Sequence, residues 1–388
     1  MKFLRDFNFY NKRVLVRADF NVSFGDDGRV DDKEDWRLKA TLPTINYLLN
    51  QKAKIILLAH LGRPEGKIIE NLRLNPIAQR LEELLGRPVI KLDDCLGREV
   101  EERLKALQKG EIILLENIRF YPGEKNNQED FIRGLAKLGE IYVNDAFGTS
   151  HRAHASFVGL PKYLPSCAGL LLEKEVKVLS TLLEKPEHPL TVIIGGVKIS
   201  TKIKMIKNFL DKADDLILGG ALANTVIGAK GLAIGKSIVE EEMVEEVQKL
   251  ELTNIKLHIP VDVVVSVDSS GQAPSRVAPV GNTQKEEMIL DIGPDTIELF
   301  KRIISQAKII IWNGPMGLFE TEKFTQGTKE IAKAIAQSSA FSLVGGGDTV
   351  NCLSQLSLTE KISHISTGGG AMLQFLAGEK LPGIEALK

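Results

Sequence analysis

The 388-residue chain predicts an α/β protein built from two doubly wound parallel sheets, one in each half. Three observations carry that prediction. Short apolar runs of Val, Ile and Leu recur along the whole length, and such runs read as parallel strands buried on both faces. Helical patterns alternate with them. Each run also stops abruptly in charged residues or glycines, and open parallel sheets bind ligands beyond the carboxyl ends of their strands.

In the first half the runs are VLVRADFN (14–21), IILLAHLGRP (55–64), IILLENIRF (112–120) and IYVNDAFGTSHRAH (141–154), whose stops carry cations and acids. Between them, 41–50 and 75–85 read as helices; Pro76 suits a first turn, and Gly86-Arg87-Pro88 ends the second helix. Leu172, Val176, Leu179 and Leu183 keep helical spacing up to Lys185-Pro186-Glu187-His188-Pro189, where two prolines stop the helix. That segment is the place for a connection between two lobes. In the second half the stops are mostly glycines: VIIGGVK (192–198), LILGGALA (216–223), IIIWNGP (309–315), FSLVGGGDT (341–349) and ISHISTGGGA (362–371). The acidic stretch 240–250, with Met243, Val244 and Val247 at helical spacing, reads as a solvated helix. One more helical piece follows at 372–376.

Composition excludes several classes. A hydrophobic content of 43%, a charged content of 26% and a net charge of −1 describe a globular chain without a global field for nucleic acid or a membrane surface. Any anion site must be local. Cys95, Cys167 and Cys352 are far apart and form no metal-binding spacing, so they are expected to be small buried residues. Arg5 and Asp6 interrupt the start of the chain where an export signal needs an apolar core. No apolar segment approaches the ~20 residues that cross a bilayer. A cytoplasmic protein is expected.

The stops suggest chemistry. Glycine triplets at 345–347 and 368–370 end buried runs, and glycine lets several backbone N–H groups face one ligand. If a helix starts directly afterwards, its N-terminus favours phosphate. Asp348 beside the first triplet suits Mg²⁺ on phosphate oxygens. A tight turn that needs glycine for packing explains one such stop; two of them, one with an acid, favour phosphate binding. Lys198 and Lys202 are four apart and on a helix would share one face. A solvated basic helix is the ordinary explanation, but a glycine pair ends a buried run just before them. GLAIGKS (231–237) has three residues between its glycines where a P-loop needs four, and no GxGxxG is present. In the first half, Asp19 and Asn21 would share one side of an extended segment and suit a substrate hydroxyl. His60, Arg63, Arg119, His151, Arg152 and His154 follow the other runs, and converging guanidiniums bind a small dianion. Together these residues imply phosphoryl transfer between a Mg-nucleotide on the glycine-rich half and a small acid on the arginine-rich half.

The segments RVLVRADFNV, LPTI, LLAHLGRP, LLENIRF, VNDAFGTSHRAHAS, GGVKISTKI, LDIGPDT, WNGPMGLFE, VGGGDTV and STGGGA, with the closing LPGIEAL, resemble the phosphoglycerate kinase family in its own order, from end to end. The resemblance implies two Rossmann-like domains joined by a hinge, with ligands facing a central cleft. The expected division is a phosphoglycerate domain over 1–169, a joining helix over 170–185, a nucleotide domain over 186–372 and a tail, 373–388, returning to the first. It implies reversible transfer between 1,3-bisphosphoglycerate and ADP, giving 3-phosphoglycerate and ATP, with Mg²⁺ carried by the nucleotide and a monomer as the working form.

Carried onto matching positions, the family's acid site implies contacts from Asp19 and Asn21 to the glycerate hydroxyl and from His60, Arg63, Arg119 and Arg152 to its phosphate end. Arg37 is implied beside the acyl group, a role the residues alone do not single out. Lys198 and Lys202 would hold the phosphates and the group in flight, Asp348 the Mg²⁺. Gly345, Gly346, Gly347, Thr349 and 368–370, Gly369 among them, would face phosphate, with Gly346 and Gly369 counted with Arg37 and the lysines as catalytic. Glu320 would meet the ribose; Gly196, Gly219, Gly220, Asn313, Pro315 and Leu318 would complete the nucleotide site. A carboxylate acceptor is already ionised at neutral pH, so no general base is required and the histidines are expected to bind or support. Val197 and GGALANTV depart from the family's usual residues and bear on packing near the nucleotide. Two other classes are weighed. A two-lobed solute-binding protein needs neither Asp348 nor Lys202, and a dinucleotide-dependent dehydrogenase needs the missing GxGxxG.

Overall fold

Parallel pairing of the apolar runs organises the molecule. A computed structural model describes residues 1–25, 27–31 and 35–388, which divide into two compact units, Met1–Ser180 with Glu379–Lys388, and Thr181–Gly378. The first contains β1 (Arg13–Arg17), β2 (Lys54–Leu58), β3 (Ile90–Lys91), β4 (Ile112–Leu114), β5 (Ile141–Asn144) and β6 (Ser166–Ala168) in the spatial order β3-β4-β2-β1-β5-β6, all paired in parallel. Their inward residues, among them Val14, Val16, Ile55, Leu57 and Val143, are buried in one core.

The second unit repeats this plan with β7 (Leu190–Ile194), β8 (Asp215–Leu218) and β9 (Leu257–His258). A three-stranded antiparallel sheet follows, β10 (Asp262–Ser266) between β11 (Ser275–Pro279) and β12 (Met288–Ile292). The parallel sheet then resumes with β13 (Ile309–Asn313), β14 (Phe341–Gly345) and β15 (His364–Ser366), in the order β15-β14-β13-β7-β8-β9. Trp312, Ile193 and Val344 lie in its core. Two doubly wound parallel sheets are therefore present, as the pattern predicts. The antiparallel sheet was not expected, and neither were the short strands β3, β6 and β9, whose two or three residues give no periodicity to read.

Two local readings need correction. The helix expected over 41–50 spans Trp36–Asn50 and carries Pro43 in its interior. Proline reads as a first-turn residue, but here the helix continues past the missing N–H, and Arg37 sits in its first turn. Lys198 and Lys202 do not share a helix face: the helix is Ile203–Lys212, Lys202 is its N-cap, and Lys198 lies in the preceding loop. By contrast, Asn75–Leu85 has the expected bounds, with Gly86 left-handed at φ 63°. The acidic stretch forms only a 3₁₀ turn, Glu241–Met243, and a short helix, Val244–Gln248.

The connections are held by buried polar groups at and just beyond the end of β5 and by Thr44 of the Trp36–Asn50 helix. The Leu170–Glu184 helix, along which the chain passes from the first unit to the second, starts with Leu170 N–H donating to Thr44 Oγ1 at 2.8 Å. Leu171 and Leu172 donate to Asp145 Oδ1 at 3.0 and 3.3 Å. The returning tail is tied by Asn144 Nδ2 to Gly383 O at 3.1 Å and by Gly383 N–H to Ser150 O at 2.8 Å. The three cysteines are free and buried.

Candidate active site

Parallel pairing places the carboxyl ends of β4, β2, β1 and β5, neighbours in the sheet, on one edge. The chain winds from β1 toward β2 on one side and later adds β5 on the other, which makes a switch point between β1 and β5. Arg63, Arg119, Arg152 and His154 line a cavity of about 630 Å³ at this edge, together with Lys125 and Glu65. Arg119 donates Nη1–H to Gly62 O at 2.7 Å, while its Nη2 is buried without a partner. Burial, then the charges of Arg152 and Arg17, push Arg119 down to about 9, so it remains a cation at neutral pH. A buried guanidinium nitrogen without a partner is costly, and an anion oxygen in the cavity removes that cost.

Beside the cavity the expected residues are joined in a chain of bonds. Arg37 reaches from its helix to donate to Asn21 O at 2.7 Å, and Gly62 N–H donates to Asn21 Oδ1 at 2.8 Å. Gly62 in turn receives Arg119. The Asp19–Asn21 segment lies beyond β1 and is not strand; Asn21 N–H turns back to Asp19 Oδ1 at 3.3 Å. Their proximity therefore comes from a local turn rather than from strand alternation.

His60 is 2% exposed and does not line the cavity. Its Nδ1 faces Arg17 Nη2 at 3.1 Å; arginine has no acceptor, so Nδ1 holds the lone pair and Nε2 the proton. Burial, reinforced by Arg17, Arg119, Arg152 and Arg37, holds His60 well below the ordinary histidine range. Burial and the same three cations without Arg37 bring His154 down to about 4. Both are neutral at pH 7, as a reaction without a general base allows.

Sequence reasoning passed over Arg17. It is wholly buried, with Nε donating to Ser156 Oγ at 3.0 Å and its guanidinium over the Phe157 ring at 4.7 Å. Ser156 passes the contact on to buried Glu124, donating Oγ–H to Oε1 at 2.7 Å and N–H to Oε2 at 2.9 Å. A cation inside an apolar run that ends at the ligand edge was the available signal. Glu124 had none, because only the fold brings it to Ser156 and, through it, to Arg17.

In the second unit the carboxyl ends of β14, β13, β7 and β8 share an edge, with the switch point between β7 and β13. There Gly195 N–H donates to Asn313 O at 2.9 Å and Gly196 N–H to Pro315 O at 2.8 Å. Gly314 has φ 94°, and a side chain on it would stand 2.3 Å from Gly195 O. Lys202 bends back from its N-cap position so that Nζ donates to that same carbonyl. It is 8% exposed; burial, opposed only by Asp348, lowers it to about 8.

The expected phosphate-facing residues start two helices. Gly347–Gln355 and Gly369–Leu376 each follow a parallel strand directly, with no side-chain cap, and their first N–H groups have no partner within the helix. A Cβ on Gly369 would lie 2.8 Å from Gly346 Cα, so the two triplets approach closely. Thr349 Oγ1 accepts from Gly314 N–H and Asn313 Nδ2 donates to Gly345 O, both at 2.8 Å. These side chains brace the loops.

A cavity of about 220 Å³ reaches the start of the Gly347–Gln355 helix at Asp348, and Gly196, Val197, Gly220, Pro315, Leu318 and Glu320 are also on its wall. Lys198, Lys202, Gly219, Asn313, Gly345, Gly346, Gly347, Thr349 and Gly369 are outside it. Gly219 is packed against Met316, where a Cβ would meet Sδ at 2.5 Å. The residues fit a metal that arrives on a phosphate ligand: Asp348 is one exposed carboxylate at a helix N-terminus, and among the described residues no group of three or more His, Cys, Asp or Glu could hold an ion by itself.

A doubly wound unit with a guanidinium-lined cavity, and another with two uncapped helix N-termini, a buried lysine and a lone carboxylate, define an α/β protein of the phosphoryl-transfer class. The family model described as "Phosphoglycerate kinase" matches residues 4–379. The chain is 49% identical over 388 residues to the phosphoglycerate kinase of Moorella thermoacetica, covering 99% of this chain and 98% of the relative. It is 46% identical over 390 residues to that of Pelotomaculum thermopropionicum, covering 100% and 98%. Among solved structures, phosphoglycerate kinase from Coxiella burnetii superposes with a TM-score of 0.84 at 42% identity, and that from Pyrococcus horikoshii OT3 with 0.87 at 37%, each covering 100% of this chain and 98% of the other. The chain belongs to the phosphoglycerate kinase family.

Proposed function

We propose that this protein catalyses reversible phosphoryl transfer between 1,3-bisphosphoglycerate and ADP, giving 3-phosphoglycerate and ATP. Family membership over nearly the whole chain is the observation that carries the reading. The first unit takes the acid and the second the nucleotide. Arg63, Arg119 and Arg152 hold the phosphate end of the acid, with Arg119 Nη2 available for a further oxygen. Asp19 and Asn21 orient its hydroxyl, His60 lies beside Asp19 as a buried neutral side chain held by Arg17, and Arg37 faces the acyl group.

On the nucleotide side, Gly196, Gly220, Pro315 and Leu318 border the base and Glu320 the ribose, all on one cavity wall. Lys198, Lys202 and the first N–H groups of the Gly347–Gln355 and Gly369–Leu376 helices neutralise the phosphates. Asp348 would hold the Mg²⁺ that enters with the nucleotide, and that ion would supply charge neutralisation for the transferring group. The carboxylate of the acid attacks in line and no protein group removes a proton. Positioning and charge stabilisation then account for the rate, with water kept out by closure of the two units about the joining helix. We take a cytoplasmic monomer as the working form; light scattering of the purified protein checks its oligomeric state.

The test is ADP formation from 3-phosphoglycerate and MgATP. Turnover is expected with the natural sequence, and a loss of at least about 10²-fold in kcat with Arg37→Ala. No turnover by folded protein overturns the reaction; full kcat in Arg37→Ala overturns the role of that arginine.

A further inference from the structure

Arg63 and Arg119 stand on different loops, and one buried side chain bonds to both. Asn117 follows β4 and is fully buried. Its Oδ1 accepts from Arg119 N–H at 3.1 Å, which caps the 3₁₀ turn Ile118–Phe120. Its Nδ2 donates to Leu61 O at 2.8 Å and to Leu72 O at 3.0 Å. These carbonyls are the two ends of the loop that carries Arg63, Pro64, Glu65 and Gly66 along the cavity wall. The preceding residue extends the grip. Buried Glu116 accepts from Leu74 N–H at 3.1 Å, Arg73 Nη1 at 3.0 Å and Lys91 Nζ at 2.6 Å, and its Oε1 accepts Asn117 N–H at 2.8 Å.

We infer that Asn117 is a positioning residue for the acid substrate: it clamps both ends of the 61–72 loop to the backbone of Arg119 and so sets the spacing of the Arg63 and Arg119 guanidiniums. A planar amide suits the task because it offers two donors and an acceptor in one rigid group. Two further bonds join the two arginine segments directly, from Arg119 Nη1 to Gly62 O at 2.7 Å and from Gly66 N–H to Arg119 O at 3.2 Å. The first depends on the Arg119 side chain being where a ligand would compete for it, and the second holds the middle of the loop rather than its ends. Asn117 makes the same link from beneath, out of reach of the ligand. Loops that position charged groups hold them only as well as their supporting contacts allow, and a small displacement from a dianion weakens every bond to it.

This inference rests on the proposed reaction, and steady-state kinetics separate the two. Asn117→Ser keeps a side-chain oxygen for the Arg119 N–H, since serine is a favourable N-cap, but removes both bonds to the loop. The expected result is a rise of about tenfold in KM for 3-phosphoglycerate, with KM for MgATP within twofold of the natural protein. Arg63→Ala is then expected to raise the acid KM by a smaller factor in the Asn117→Ser background than alone, because Arg63 is already displaced. Asn117→Thr, which keeps the cap and more of the volume, replaces serine if the serine variant does not fold. An unchanged acid KM, or a full Arg63→Ala effect in the double variant, overturns the inference even if the melting temperature falls. Absence of turnover in the natural protein would instead remove the reaction on which it rests.

Discussion

Arg17 Nη2 lies 3.1 Å from His60 Nδ1, and both side chains are buried. A permanently charged donor thus fixes the tautomer of a neutral imidazole at the edge where the acid is proposed to bind. The contact predicts a difference between two substitutions. His60→Asn retains an acceptor near the position of Nδ1, whereas His60→Leu leaves a buried N–H of a cation without a partner. His60→Leu should be less stable than His60→Asn by about 1–3 kcal/mol, measured by urea unfolding at pH 7. Equal stabilities would show that the bond contributes nothing.

Arg119 offers a second test. Lysine in its place keeps the charge but loses the fork that bonds Gly62 O through Nη1 and leaves Nη2 free. Arg119→Lys should raise KM for 3-phosphoglycerate by about tenfold or more and leave KM for MgATP unchanged. An acid KM within twofold of the natural value would remove Arg119 from the site.

Lys202 predicts a pH effect of definite sign. In the free protein burial lowers it to about 8, so at pH 8.5 most molecules carry a neutral amine there. Nucleotide phosphates favour the ammonium, so MgADP binding at pH 8.5 should take up protons. At pH 7 Lys202 is already protonated and the uptake should shrink. Calorimetry in two buffers of different ionisation enthalpy measures this directly. The Lys202→Arg variant, charged throughout, should lose the extra uptake at pH 8.5; if it keeps it, another group is responsible.

Asp348 is the fourth. Asp348→Asn keeps the size of the side chain and its place in the first turn of Gly347–Gln355 but removes the charge available to Mg²⁺. The Mg²⁺ concentration for half-maximal turnover should rise by about tenfold or more, with KM for 3-phosphoglycerate little changed. An unaltered Mg²⁺ dependence would place the ion elsewhere.

Much of this protein was legible before folding was considered. The parallel sheets followed from runs such as 55–58 and 309–313, because a strand covered on both faces must be continuously apolar. The glycine triplets marked two helix starts, Gly347 and Gly369, because a chain turning directly from a buried strand into a helix favours residues without side chains. Arg63, Arg119 and Arg152 stood out as cations at strand ends. Other residues carried no such mark. Arg37 lies in the first turn of a helix that begins at Trp36, five residues before the Thr41 at which the sequence reading starts it. Glu124 and Asn117 resemble any polar loop residue until the fold buries them.

By itself the sequence determined the fold class, the separation of cationic from glycine-rich strand ends and the family, since each is written in local periodicity or contiguous motifs. Only the tertiary structure decided that His60 is a neutral partner of Arg17, that Lys202 bends back to a glycine carbonyl, and that Asn117 joins two arginine loops. Those relations link residues from seven to more than fifty positions apart. Their energies come from burial and from hydrogen bonds formed across strands, and neither exists until the chain has packed.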